Sequence, residues 1–477
     1  MSYQISPNQS QSFQVVQQGF LQDDGLPFSK VLSKEQIEQA FEEESETLFG
    51  QEDDDVYTPV LTLWALLSQM IQAGAQRSCN AAVERLRTLC LLLGLCAPSA
   101  DSGAYCRARA KLPESVLRRL TYEVSDALET QVPKAWLWYG RHVKIVDGST
   151  LMTPDTEENR AEWPQMSGQL PGLGFPILRF VMLFSLATAA VCGFADAPYE
   201  GKETGEPALL RQLFFRLRYG DILLGDACFC SYFMIALLIA MGVDVVFHQH
   251  QRRKTDYRRG KSLGDQDHLV TWSKPAQPDW MDDATYQQIP DQLVIRELTV
   301  KIRIPGFRTS KVTLVTTLTD AKLHSKQALG DLYRQRWNAE TDIRSLKVTM
   351  NLEDLRGKCP HMIRNEIWAH CLAYNLICQS RAAAAAVSEE QTPRTISFAG
   401  ALQSVAGAMV PASTASPSIL RALADQKLAS IASHRVGNRP NRVEPRAVKR
   451  RPKNQKLLSK PRDEARAELG AVPASAG

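Results

Sequence analysis

The sequence contains no apolar run long enough to cross a membrane. Its longest candidate, residues 180–195, has only sixteen residues and is bounded by charged ones, and residues 233–241 are shorter still. Because a bilayer crossing needs about 20 residues, both segments are expected to lie in a protein core. The first ten residues are polar and lack the apolar centre of a signal peptide. We therefore expect a cytoplasmic protein.

Patterns typical of zinc sites and disulfide frameworks are also missing. The ten cysteines include no Cys-x-x-Cys pair, the nearest neighbours being Cys228 and Cys230, and the eight histidines include no His-x-x-x-His pair. This spacing is poor for a zinc site. Without a secretion signal, the cysteines are expected to be reduced thiols. His248 and His250 end a predicted strand and are expected to be surface or DNA-facing residues rather than metal ligands.

The net charge of +4 is too small to indicate a polyanionic partner by itself, but the charges are unevenly distributed. Residues 42–55 are rich in Glu and Asp, whereas residues 435–462 carry eleven Lys or Arg against one Glu. The basic segment fits either a tail that follows nucleic acid or a solubilising end, and both interpretations stay open. Residues 435–477 are predicted to be disordered, because few apolar side chains offset the entropy of ordering.

A length of 477 residues predicts two or three domains. The first, residues 1–138, is predicted to be all-helical after a loose start over residues 1–30. Its helices are expected at residues 33–48, 59–75, 80–95 and 113–130, with turns at residues 76–79 and 102–109. Near the other end, residues 387–434 are Ala/Ser-rich with one predicted helix at residues 417–433.

Two aspartates close predicted strands in the middle of the chain. Residues 142–147 alternate apolar and polar side chains and stop at Asp147, and residues 221–226 stop at Asp226. Further strands are expected at residues 177–186, 190–194 and 243–247, and helices at residues 206–218 and 231–241. This order is typical of a ribonuclease-H-like α/β fold, whose ligands gather at strand ends. Each aspartate also fits the plainer role of a turn residue beside glycine.

Residues 251–307 interrupt that order and are predicted to form a β-rich insertion. The insertion contains two tryptophans and a long predicted strand at residues 293–304, and the core resumes at residues 312–318. It opens with six clustered cations: Arg252, Arg253, Lys254, Arg258, Arg259 and Lys261. Cations interleaved with aromatic residues suit contacts with nucleic-acid phosphates and unstacked bases. A solvated hairpin with structural tryptophans remains the alternative.

The most informative stretch is residues 331–350, which has neither Gly nor Pro and places apolar residues at helical spacing. We predict one helix whose buried stripe consists of Leu332, Ala339, Ile343, Leu346 and Met350. At about 100° per residue, four polar side chains fall within about 60° of each other beside that stripe. They are Tyr333, Arg336, Glu340 and Lys347. The Arg and the Glu also fit an ordinary i,i+4 ion pair on an exposed helix.

The spacing Tyr, two residues, Arg, three, Glu, six, Lys resembles the signature of DDE transposases in the bacterial insertion-sequence-four family. The resemblance continues through Leu355-Arg356-Gly357-Lys358 and through residues 364–370 and 373–377, which look like the family's next helix, expected over residues 362–386. It covers residues 142–381, about half of the chain. Ala227 is a departure, because relatives often carry a basic residue directly after the second Asp. One DNA contact is therefore in doubt.

The resemblance implies a catalytic triad of Asp147, Asp226 and Glu340 in a core over residues 139–386. Converging carboxylates suit two Mg²⁺ ions, with Mn²⁺ as a substitute, because both ions prefer hard oxygen ligands. The resemblance also assigns Tyr333, Arg336 and Lys347 to the phosphates of the element's end. Their hydroxyl, guanidinium and ammonium groups are suited to that contact.

We therefore expect a transposase that cleaves the ends of an insertion sequence and joins them to target DNA. Cut-and-paste movement through a hairpin is implied by the resemblance alone. The expected partners are double-stranded DNA, as inverted-repeat ends and as target, and a second copy of the chain in the synaptic complex at the nucleoid. The region before the core would help to bind the ends. Two alternatives remain: a ribonuclease-H-like nuclease that never joins strands, and an inactive DNA-binding relic.

Overall fold

The computed structural model describes residue 32 and residues 34–44, 49–50, 56–92, 97–302, 310–388, 391–408, 417–437 and 457–470. These residues form a mixed α/β protein with one nine-stranded sheet, which confirms the predicted α/β class. The strands are β1 (Val143–Met152), β2 (Ile177–Ser185), β3 (Val191–Pro198), β4 (Ile222–Gly225), β5 (Asp244–His248), β6 (Lys261–Gly264), β7 (Asp267–Ser273), β8 (Gln292–Ile302) and β9 (Ser310–Thr316). Their order across the sheet is β3-β2-β1-β4-β5-β9-β8-β7-β6.

The described helices are numbered in chain order. They are α1 (Lys34–Glu44), α2 (Pro59–Met70), α3 (Cys79–Leu92), α4 (Gly103–Ala110), α5 (Glu114–Thr130), α6 (Glu157–Glu162), α7 (Glu206–Gln212), α8 (Tyr232–Ala240), α9 (Asp283–Gln288), α10 (Lys326–Arg334), α11 (Trp337–Arg344), α12 (Pro360–Ala386), α13 (Phe398–Ala408), α14 (Pro417–Ser433) and α15 (Arg462–Gly470). None of them combines the length and the apolar character that a membrane crossing requires.

The middle of the sheet contains three parallel strands. β1 runs parallel to β4, and β4 runs parallel to β5. Because β4 and β5 end at Gly225 and His248, their carboxyl ends lie together, and we call this side the carboxyl edge. Ile145, Leu224 and Val246 are completely buried where these strands pair. Continuous apolar runs of this kind are expected in strands that are covered on both faces.

Asp147 lies within β1 and not at its end, so the predicted strand end is wrong. β1 continues to Met152 because β2 pairs with it over that whole distance. Pairing with β4, in contrast, stops at Ile145. Asp147 therefore lies just past the last residue paired with β4, beside the carboxyl edge. Asp226 directly follows β4, as predicted.

Residues 261–302 extend the same sheet and do not form a separate one. β9 pairs antiparallel with β5, and β8, β7 and β6 follow outward, each antiparallel to its neighbour. The strands expected at residues 293–304 and 312–318 correspond to β8 and β9, although residues 303–309 lie outside the described part. Trp272 and Ile295 are buried in one hydrophobic core with Phe247 of β5. The outer strands are therefore packed onto the inner ones.

The amino-terminal region contains the four predicted helices and one more. The turn expected at residues 102–109 is wrong, because α4 occupies that position. Ser102 and Gly103 are typical turn residues, but Tyr105 is completely buried and donates a hydrogen bond to Gln69, so tertiary packing favours a helix. α5 packs against α12, and both belong to one hydrophobic core with β1 to β3. The predicted loose start lies outside the described residues.

The stretch at residues 331–350 is not the single helix that was predicted. α10 ends at Arg334, α11 begins at Trp337, and residues Ser345–Thr349 form a π-helical turn. At the junction the N–H of Arg336 donates to the C=O of Tyr333 at 3.0 Å, which is an i,i+3 bond and tighter than the α-helical pattern. The five predicted stripe residues are nevertheless buried, as expected.

The carboxyl-terminal third is more ordered than predicted. α12 and α14 match the helices expected at residues 362–386 and 417–433, and α13 was not predicted. Disorder over residues 435–477 is wrong for residues 457–470, where α15 forms. The guanidinium of Arg462 donates to Asp155, Gly172 and Gly174, so polar contacts and not apolar burial fix this segment. Residues 438–456 and 471–477 lie outside the described residues.

Candidate active site

Asp147 occupies a largely buried position beside the start of α11. Its Oδ2 lies 3.7 Å from Nη1 of Arg336, and its Oδ1 accepts a hydrogen bond from the N–H of Gly148 at 3.0 Å. Burial raises the pKa of Asp147 to about 6, the negative charges of Glu340 and Asp226 add to the rise, and Arg336 opposes it. The ionisation of this carboxyl group therefore depends on a neighbouring cation.

Asp226 is held in the turn after β4. The N–H of Cys228 donates to its Oδ1 at 2.8 Å. The charge of Asp226 raises the pKa of Asp147, and it opposes the lowering of the pKa of His248 that burial causes. Asp226 forms no ion pair with any described residue. It is therefore an anionic group at the carboxyl edge without a cation of its own.

Arg336 connects Asp147 with Glu340. Its Nη2 donates to Oε1 of Glu340 at 3.0 Å, while Nη1 faces Asp147. Only 9% of Arg336 is exposed, whereas 53% of the Glu340 side chain is exposed. Asp147 and Glu340 therefore both face one buried guanidinium, and the charges of Asp226 and Glu340 both act on Asp147. We call these three carboxylates and Arg336 the electrostatic cluster.

The carboxylate oxygens of this cluster suit a hard divalent cation, but they are not close enough together to coordinate one metal ion in this conformation. Carboxylate oxygens are the ligands that Mg²⁺ prefers. Among the described residues, however, no three His, Cys, Asp or Glu side chains are grouped closely enough to hold a metal ion. The guanidinium of Arg336 faces both Glu340, at 3.0 Å, and Asp147, at 3.7 Å.

Tyr333 and its aromatic neighbours form the wall of the site next to Arg336. Tyr333 is buried, and burial raises the pKa of its hydroxyl well above the ordinary value. Its ring centroid lies 6.5 Å from that of His248 and 6.4 Å from that of Trp337. The guanidinium of Arg336 is 5.0 Å from the Trp337 ring centroid. His248, which was expected at the surface or facing DNA, is half-buried beside Tyr333.

Lys347 is tied to β1 beyond Asp147. Its Nζ donates to Oγ of Ser149 at 3.2 Å and to the C=O of Thr150 at 3.0 Å, and it pairs with Glu353 at 3.2 Å. The ammonium group therefore has three acceptors within the chain. A phosphate contact at Lys347 would need to replace one of them, so this side chain also fastens the π-helical turn to the strand that carries Asp147.

Sequence reasoning missed a fourth carboxylate, Glu206 at the start of α7. Its Oε2 accepts a hydrogen bond from Sγ of Cys228 at 3.3 Å, and a Cβ added to Gly148 would lie only 2.6 Å from its carboxyl carbon. Burial raises the pKa of Glu206, and the charge of Asp226 adds to that rise. No spacing in the sequence signals this contact, because α7 reaches β1 and the β4 turn only through the tertiary fold.

The six predicted basic residues lie in the loop after β5 and at the start of β6, and all are exposed. They are Arg252, Arg253, Lys254, Arg258, Arg259 and Lys261. The guanidinium of Arg253 lies 3.5 Å from the ring centroid of Trp272, and Arg258 forms two hydrogen bonds with Asp256 at 2.8 and 3.0 Å. The loop begins at the carboxyl edge, since it follows His248 directly.

A mixed sheet with Asp226 at its carboxyl edge, Asp147 beside that edge and a Tyr, Arg, Glu, Lys set next to them is the arrangement expected of a DDE transposase. Residues 138–376, half of the chain, match the family described as Transposase DDE domain, and the chain belongs to that family. It is also similar to "Transposase InsG for insertion sequence element IS4" of Escherichia coli (strain K12). The two are 28% identical over 365 residues, which cover 74% of this chain and 78% of the relative. The predicted membership of the insertion-sequence-four family is confirmed.

Proposed function

We propose that this transposase cleaves the ends of its insertion sequence and joins the freed 3′ ends to target DNA by metal-assisted phosphoryl transfer. The observation that supports this best is the electrostatic cluster at the carboxyl edge, where Arg336 faces Asp147 and Glu340 and the charge of Asp226 acts on Asp147. Phosphoryl transfer requires little covalent work from a protein, and positioned charge supplies most of the catalysis. The electrostatic cluster offers that charge.

The proposed roles of the site residues follow from their chemistry. Asp147, Asp226 and Glu340 would hold Mg²⁺, or Mn²⁺ in its place, and the bound ions would stabilise both the attacking and the leaving oxygen. Arg336 and Tyr333 would donate hydrogen bonds to phosphates of the element's end. Lys347 would add a point charge beside them, and the exposed basic loop after β5 would contact the duplex further away.

The proposed core is ribonuclease-H-like and covers residues 139–386, with an insertion at about residues 251–307. The order β3-β2-β1-β4-β5, with β1, β4 and β5 parallel, supports this proposal. Residues 1–138 would assist in binding the ends, and residues 387–477 form the remaining region. In this proposal the partners are double-stranded DNA and a second copy of the chain, the site of action is nucleoid DNA in the cytoplasm, and movement is by cut-and-paste through a hairpin.

A cleavage and joining assay tests the proposed reaction. The full-length protein is incubated with Mg²⁺, a linear DNA carrying the element's inverted-repeat ends and a supercoiled target plasmid. We expect cuts at the ends and a covalently joined product, both abolished by EDTA. Cutting without joining would favour a nuclease, and binding without cutting would favour a relic. Either result would contradict the proposal.

A further inference from the structure

The β8–β9 pair extends beyond the carboxyl edge as a two-stranded ribbon with one covered face. On that face Val300 and Val312 are buried in one hydrophobic core with Leu329 of α10. β5 pairs with β9 only as far as His248 opposite Leu314, followed by one bond from Gln249 N–H to the C=O of Thr313. On the other side, β7 pairs with β8 only as far as Leu298. Beyond these points β8 and β9 still pair with each other. Among the described strands, neither neighbour accompanies them there.

This ribbon carries a cross-strand pair of lysines. Lys301 and Lys311 are directly opposite each other, and both are exposed. Neither forms an ion pair with a described residue. Like charges directly opposite on neighbouring strands destabilise a sheet. A partner with negative charge would offset that repulsion.

The lysine pair shares its face with the basic loop. Side chains alternate along a strand, so Lys301 lies on the face of Thr299, and Lys311 on that of Thr313. The two threonine hydroxyls are 2.9 Å apart, and the hydroxyl of Tyr257 shares a hydrogen bond with Thr299 at 2.6 Å. Tyr257 directly precedes the exposed Arg258 and Arg259. One face therefore continues from the basic loop onto the ribbon.

We propose that this ribbon is a DNA-binding arm, in which Lys301 and Lys311 contact the phosphates of duplex DNA next to the active site. The proposal rests on the proposed function, and it adds a site outside the Tyr, Arg, Glu, Lys set. Because α10 covers the opposite face of the ribbon, the exposed lysine face is the one that lies against the DNA backbone. Lysine contacts with phosphates carry no base information, so binding at this arm is independent of sequence.

The double variant Lys301→Gln/Lys311→Gln tests the arm. Binding of the full-length protein to a duplex is titrated between about 50 and 200 mM salt. We expect the slope of log K against log salt to fall by roughly 0.9 for each lost phosphate contact, or roughly two units in all. The exposed Lys322, which follows the opposite end of β9, supplies the control Lys322→Gln, whose slope remains that of the wild type.

Two duplexes, one with the element's end and one without, distinguish the source of the phosphates. If the salt slope falls equally on both duplexes, the arm binds any duplex, including target DNA. If the slope falls only on the duplex with the element's end, the arm binds that end. An unchanged slope on both would overturn the arm and leave the proposed function intact. A reduced slope, together with a wild-type protein that binds the element's ends but does not cleave them, would overturn the proposed function and leave the arm.

A separate observation concerns Arg336, whose guanidinium occupies the space between two carboxylates. It lies 3.0 Å from Oε1 of Glu340 and 3.7 Å from Oδ2 of Asp147, and it is almost completely buried. A metal ion shared by Asp147 and Glu340 would repel this cation at such short range, because like charges interact strongly away from water. The two cations therefore compete for the same pair of ligands.

We infer that Arg336 is an interlock between DNA binding and metal binding. In the DNA-free protein its guanidinium offsets part of the negative charge of Asp147 and Glu340. A DNA phosphate, which arginine binds with paired hydrogen bonds, draws the guanidinium away and leaves both carboxylates for the metal. DNA and metal would then bind with positive coupling, and each would raise the affinity of the other by the same factor. This inference also rests on the proposed function.

Mn²⁺ binding to the DNA-free, full-length protein tests the interlock without any cleavage step. We expect Arg336→Gln to bind Mn²⁺ at least about tenfold more tightly than the wild type. The reason is that no guanidinium then competes with Mn²⁺ for Asp147 and Glu340. Arg334→Gln is the matched control, because Arg334 lies two residues earlier and is exposed. Its Mn²⁺ affinity remains that of the wild type.

A second measurement compares Mn²⁺ binding with and without DNA. In the wild type, adding a duplex with the element's end is expected to tighten Mn²⁺ binding. In Arg336→Gln, this dependence on DNA is expected to be lost. Equal Mn²⁺ affinity in the wild type with and without DNA would overturn the interlock. So would an Arg336→Gln protein that binds Mn²⁺ no better than the wild type.

Discussion

Glu340→Gln is expected to reduce strand cleavage at the element's ends by two orders of magnitude or more, while binding to those ends changes little. Glutamine keeps the shape and one oxygen but loses the charge that would help to hold Mg²⁺. Losing that ion removes several kcal/mol of transition-state stabilisation, and about 1.4 kcal/mol corresponds to a tenfold change in rate. About half of the Glu340 side chain is exposed, and among the described residues its carboxylate pairs only with Arg336. The fold should therefore tolerate the change.

Gel shift and strand-cleavage assays on the purified variant measure the two effects separately. Asp331→Asn is the matched control, because Asp331 is an exposed carboxylate on α10 whose nearest cation, Arg334, is 3.9 Å away. Its cleavage rate should stay at the wild-type level. A Glu340→Gln protein that cuts at near the wild-type rate would refute the catalytic triad as a whole.

Local spacing explains why part of the site could be predicted from the sequence. Tyr333, Arg336 and Glu340 lie within eight positions of one another, so any compact helical backbone keeps them neighbours. The i,i+3 junction at Arg336 changes the helix that was predicted, but not this proximity. Asp226 was also placed correctly, because a short apolar run ending in Gly-Asp marks the end of a buried strand by itself.

Residues whose position depends on long-range pairing could not be predicted. The length of β1 past Asp147 is set by β2, whose residues lie about thirty positions later, and nothing local in the Asp-Gly pair reveals it. Glu206 and His248 reach the site from α7 and β5 and share no spacing with the triad. The extension of β8 and β9 beyond the strands on either side is likewise visible only when the lengths of those strands are compared.

The carboxyl-terminal region shows a further kind of long-range contact, through Arg394. This arginine lies after α12 and reaches Asp342, which is two residues from Glu340 on α11. Its Nη1 donates to both carboxylate oxygens at 2.8 and 2.6 Å, and its other nitrogens donate to the C=O groups of Ser185 and Leu186. Arg394 thereby fastens α11, the helix that carries Glu340, to the end of β2.

Arg394→Met is expected to lower the free energy of unfolding by about 3–5 kcal/mol, because it leaves the buried carboxylate of Asp342 without its partner. Replacing both members with apolar residues, in Arg394→Met/Asp342→Leu, is expected to recover most of that loss, since no buried charge then remains unpaired. Urea unfolding of the full-length variants measures both effects. The exposed pair of Arg258 and Asp256 has a similar two-bond geometry, and Arg258→Met should leave the urea midpoint unchanged. If the Arg394 variant unfolds at the wild-type midpoint, the ion pair does not hold α11 in place, and the position of Glu340 must depend on the apolar stripe alone.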